Sequence, residues 1–103
     1  MNANGMDAAD GGCEVVVANE NGGWTFGIVR RKAGDGRTES YAFRCEHYPN
    51  ALVTGMDGGR IASLLVRDPA GRDLISFSDG AWTLEPRGYV QKEVLRAIYS
   101  KFN

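Results

Sequence analysis

From Val90 onward the apolar residues of this chain change their spacing. Before that point they tend to alternate with polar ones, the mark of half-buried strands. Val90, Val94, Leu95, Ile98 and Phe102 then recur at the 3.6-residue period of a helix, with Gln91, Lys92, Arg96 and Lys101 mostly outside the stripe. Strands closed by one amphipathic helix predict an α+β fold. The expected form is an antiparallel meander of about four to five strands, with the C-terminal helix packed on one face and the other face partly wet. Pro86 stands near the helix start, where its missing N–H costs least, and Lys101 suits the negative end of the helix dipole.

The strands are bounded by turn chemistry. Asn21-Gly22 predicts a hairpin between the β-branched run over residues 13–19 and a partner strand beginning at Trp24. Alternation places Trp24, Phe26 and Ile28 on one face of that strand, and Thr25, Gly27 and Val29 on the other. Residues 39–47 form the next strand, with Tyr41, Phe43 and Cys45 sharing a face. Residues 51–53 read equally well as a short strand or a loop. Residues 61–67 and 73–78 pair about Asp68-Pro69-Ala70-Gly71, which has the residue order of a type I turn, and Asp79-Gly80 breaks the second of them.

Composition sets the bounds. A chain of 103 residues has room for one core, expected over residues 13–103, behind a leader over residues 1–12 that has no apolar period and reads as disordered. Twelve basic against thirteen acidic residues leave a net charge of −1, without the basic excess on which non-specific nucleic-acid binding depends. No apolar run approaches the ~20 residues of a membrane-spanning helix. The N-terminus lacks a basic start and an apolar run, and the chain has only two cysteines. The expected location is the cytoplasm, with both thiols reduced.

Few residues suggest chemistry. Cys45 and His47 point the same way on a strand, as a nucleophile and base or half a metal site would, but no short ligand spacing completes them. No metal, cofactor or catalytic set is expected, and a small Cys/His enzyme or metal protein ranks behind the binding roles below. A Cys13–Cys45 disulfide would need the two strands to be neighbours. The glycine-rich run Gly55-Met56-Asp57-Gly58-Gly59-Arg60 leads into a strand, whereas phosphate loops lead into a helix, so it reads as a tight turn. Arg30, Arg31 and Lys32, with Arg37 across a turn, make a basic hairpin tip that could touch nucleic acid.

The second half of the chain resembles a family of small uncharacterised proteins of bacteria and their phages. The stretches that carry the likeness are Gly58-Gly59-Arg60-Ile61, Leu64-Leu65-Val66, Asp79-Gly80-Ala81-Trp82, Pro86 and the ending Lys101-Phe102-Asn103. It covers residues 50–103 best. Gly80-Ala81 departs from the family's order of a larger residue followed by glycine. The resemblance implies the same fold and a mobile-element origin, with architectural motifs and no activity.

A protein of this kind is expected to bind another macromolecule without catalysis. It could be a stoichiometric inhibitor of a host defence system, an anti-CRISPR protein for example, working in the host cytoplasm. Trp24, Tyr41, Tyr48 and Arg60 are the expected anchors for a protein partner, on the sheet face away from the helix or on residues 51–60. The alternative is nucleic-acid contact through Arg30, Arg31, Lys32 and Arg37. An open face or edge strand would equally serve a homodimer.

Overall fold

The computed structural model describes residues 12–103. Six strands, β1 (Cys13–Asn21), β2 (Trp24–Lys32), β3 (Thr38–His47), β4 (Ile61–Arg67), β5 (Asp73–Ser78) and β6 (Ala81–Leu84), form one sheet in chain order, every neighbour antiparallel. A 3-10 turn (Met56–Gly58) interrupts the β3–β4 connection, and α1 (Gly88–Phe102) follows the sheet. The α+β meander with a C-terminal helix is therefore present. The leader expected over residues 1–12 lies outside the described residues except for Gly12.

Among the described residues the strand count is six, which corrects the expected four to five. The strand not foreseen is β6. Asp79 and Gly80 both have left-handed backbones (φ 53° and 79°) and join Ser78 to Ala81 as a two-residue hairpin. Such turns return the chain into a new strand because their twist matches that of the sheet. The first hairpin also turns one residue later than Asn21-Gly22 suggests. Gly22 and Gly23 hold the left-handed positions (φ 59° and 93°), and Asn21 pairs with Trp24. Residues 51–53 form no strand, and the Leu52 N–H instead bonds the Gly59 carbonyl at 2.9 Å.

One face of the sheet carries the core. Val29, Tyr41, Phe43, Cys45, Leu64, Val66, Ile75 and Phe77 are buried with Val94, Ala97, Ile98 and Phe102 of α1. Each large apolar side chain taken from water in this way contributes about 1.5–3 kcal/mol before entropy is counted. In β4 simple alternation would bury Ile61, Ser63 and Leu65. The pairing instead moves from Glu46↔Ser63 to His47↔Ile61, leaving Ala62 as an extra residue, so that Ile61, Leu64 and Val66 face inward.

The helix is tied down at two places. Near its N-terminal half, the Arg31 Nε donates to Glu93 at 2.7 Å and a terminal nitrogen of Arg31 donates to Glu39 at 3.1 Å, with both Arg31 and Glu93 largely buried. At its end, Asn103 accepts a bond from the Ile61 N–H at 2.9 Å and donates to the Met56 carbonyl at 3.1 Å. A Cβ on Gly59 would lie 2.4 Å from the Asn103 side chain. The run Gly58-Gly59-Arg60-Ile61 is thus the seat of the chain's last residue. No helix among the described residues is long and apolar enough to cross a membrane.

Candidate functional site

Because α1 covers one face only, side chains on the other face of the sheet have no helix over them among the described residues. Register sorts them into rows across the strands. Trp24, Glu46, Ser63 and Ser78 form one row; Phe26, Arg44, Leu65, Ser76 and Leu84 form the next; Ile28, Ala42 and Arg67 form a third. Phe26 and Leu84 stay 37% and 40% exposed, large values for apolar side chains on a regular sheet. The rings of Trp24 and Phe26 stack with centroids 6.3 Å apart, and the Arg44 guanidinium lies 6.0 Å from the centre of the Trp24 ring.

A groove of about 380 Å³ runs beside these rings, lined by Trp24, Arg44, Ser63, Leu65, Asp73, Ser76 and Ser78 among others. A smaller hollow of about 140 Å³ adjoins it at Ala42, Arg44, Leu65 and Arg67. Two of the four charges around the groove are paired with each other. Arg67 bonds Asp73 at 2.9 Å, and Glu46 accepts a short bond from the Tyr48 hydroxyl, which holds that phenol above its ordinary pKa. Farther along the face, Arg30 pairs with Glu14 at 3.1 Å.

The four residues expected to anchor a protein partner do not share a surface. Trp24 and Tyr48 do come together around Glu46. Tyr41 is only 5% exposed, because its strand face is the one that α1 covers, so it offers a partner almost no surface. Burial, with Glu39 accepting its hydroxyl bond at 3.0 Å, pushes its pKa up to about 12. Arg60 is half-buried at the foot of the helix, its Nε 3.4 Å from the Asn103 carbonyl oxygen.

The basic hairpin is likewise divided. Arg31 faces the helix, and its bond to Glu93, ahead of that to Glu39, raises its pKa. Arg30 is paired with Glu14 and Arg37 with Asp35 at 2.7 Å, while Lys32 is exposed. The hairpin tip thus presents far less uncompensated charge than its sequence suggests.

Cys45 and His47 do lie on the same strand face, but beneath the helix. Cys45 is fully buried, and burial pushes its thiol up to about 12, whereas a nucleophilic cysteine needs a lowered pKa. The His47 Nε2 sits 2.8 Å from the Thr25 hydroxyl and its ring packs 4.7 Å from that of Phe102. Burial, then the nearby Arg60, lowers its pKa. Cys13 and Cys45 stand on β1 and β3 with β2 between them, opposite Arg31 and Thr25 respectively. That separation exceeds the reach of a disulfide. Among the described residues no three His, Cys, Asp or Glu side chains group closely enough to hold a metal ion.

Sequence reasoning did not single out Arg44, Leu65, Ser63, Ser76 or Ser78. Alternation hinted at Arg44, opposite in direction to Phe43 and Cys45. The serines carry no motif, and only the pairing of β3, β4 and β5 brings them to one groove. A family model described as a domain of unknown function (DUF7678) matches residues 23–103, from the first hairpin turn to the end, with β1 outside the match. No curated protein and no solved structure matches the chain.

Proposed function

The chain belongs to this family of domains of unknown function, and we propose that it works as a non-catalytic protein-binding module whose contact surface is the open face of the sheet. One observation carries the proposal. A regular sheet face presents Trp24, Phe26, Leu65 and Leu84 around Arg44, with no helix over them among the described residues. Aromatic and arginine side chains set among apolar ones are the usual anchors of protein interfaces. A six-stranded face can supply the ~800 Å² per partner that a standard interface buries. A phage or mobile-element inhibitor of host defence, an anti-CRISPR protein included, would use the same face to block its target in the host cytoplasm.

The test is affinity capture from a lysate of the encoding organism, with three baits. The wild type and Lys92→Glu, altered on the exposed helix surface, should retain one stoichiometric partner that Leu65→Arg loses. Equal capture by all three baits would move the interface elsewhere. A homodimer seen by sedimentation and abolished by Leu65→Arg would assign the face to a second copy. A complex lost on charge reversal at Arg30 and Lys32, and dissolved by moderate salt, would favour nucleic acid instead.

A further inference from the structure

Resting on that role for the open face, we infer that its groove accepts a single carboxylate, an Asp or Glu side chain of the partner protein, with Arg44 as the anchor. Arg67 and Arg30 already hold carboxylates of this chain, at 2.9 and 3.1 Å. Arg44 has none among the described residues; its guanidinium lies over the Trp24 ring, which engages its charge and takes none of its N–H donors. The hydroxyls of Ser63, Ser76 and Ser78 line the same groove, and no side-chain hydrogen bond engages them among the described residues. A guanidinium and three hydroxyls turned to one space supply donors, and a carboxylate is a pure acceptor that arginine binds through paired bonds.

Charge selects the ligand class. Around the groove Arg67 is taken up by Asp73 and Glu46 accepts the Tyr48 hydroxyl, so among the described residues Arg44 alone is left to receive an acid, and one charge is all it can match. One carboxylate would match the one cation not already bound to an acid. A doubly charged phosphate would face Asp73 and Glu46 with its excess charge, and a nucleic-acid backbone would do so repeatedly. Leu65 below and Trp24 beside the groove would take the methylenes of the acidic side chain and its apolar neighbours.

Capped pentapeptides of sequence Thr-Val-Glu-Val-Thr, with glutamine or phosphoserine replacing the glutamate in two companions, test this by NMR titration. The probes are the Trp24 indole N–H and the Arg44 Nε–H signals. The glutamate peptide should shift both and bind about tenfold more tightly than the glutamine peptide. That preference should vanish in Arg44→Gln and shrink in Arg44→Lys, both changes at an exposed side chain. Equal binding of the glutamate and glutamine peptides at Trp24 would overturn the carboxylate site and leave the face a binding surface. Tighter binding of the phosphoserine peptide would overturn it in favour of phosphate, and no shift at Trp24 with any peptide would also overturn it. A captured partner that survives Arg44→Gln but not Leu65→Arg would keep the face and remove the anchor.

Discussion

Gly27 is a sheet position with no room for a side chain. A Cβ there would lie 2.3 Å from the Val16 carbonyl oxygen and 3.1 Å from the Phe43 ring, which packs against the bare backbone. Gly27→Ala should cost about 1–3 kcal/mol, the range for overfilling a packed core. It would be read as a lower urea midpoint with an unchanged m value; an unchanged midpoint would mean the sheet can open at no cost. Cys45 gives a second expectation. Its thiol rises from 9.0 to about 12 on folding, so below pH 9 both states keep the proton and the contribution is fully present. Between pH 9 and about 12 the unfolded chain loses that proton while the folded chain holds it, and stability falls. Tyr41, also raised to about 12, adds to the same slope. Urea midpoints measured above pH 9 should therefore drop, less steeply in Cys45→Ala. That Cys45 and Tyr41 share a face was legible from alternation. That the face is the covered one was not, because burial depends on where a helix more than forty positions later comes to rest.

The elements join through contacts that are distant in sequence. Asn103 accepts the Ile61 N–H and adds a second donor to the Met56 carbonyl, which already takes the Gly59 N–H at 2.8 Å. Asn103→Ala should lower stability by about 1–3 kcal/mol, chiefly by leaving the Ile61 N–H without that acceptor, and chemical denaturation checks it. At the other half of α1, Glu93 is 6% exposed inside the apolar stripe and bonded to Arg31. Glu93→Ala leaves a buried guanidinium with Glu39 as its remaining carboxylate, and should cost about 3 kcal/mol. Replacing both partners, as Glu93→Leu with Arg31→Met, should recover much of that loss, read in the same denaturation series. The helix stripe was legible from its period, but Glu93 was not, since a polar residue in a stripe is explained only by its partner. The sixth strand was not legible at Asp79-Gly80, because the same pair serves equally to end a strand and to return it as a hairpin.

Across the described residues the molecule is a sheet with one face under a helix and the other without one, and with short or interrupted edges. β3 and β4 have a strand on each side, while β1 and β6 have one neighbour each. Backbone amides of β3 and β4 should exchange with solvent slowest, and those of β6 and of β1 beyond its bulge near Ala18 fastest. Hydrogen exchange followed by mass spectrometry would read this order, and equal protection of β1 would imply that something pairs with that edge.

By itself the sequence determined five of the six strands, where most turns fall and that a helix follows the sheet. Those properties are local: spacing, β-branching and the left-handed tolerance of glycine and aspartate act over a few residues. Only the tertiary structure decided which side of each strand meets the helix, and that Arg44, Ser63, Ser76 and Ser78 line one groove. Those facts depend on hydrogen-bond register and on single bulged residues such as Ala62, which set side-chain facing across strands far apart in the chain.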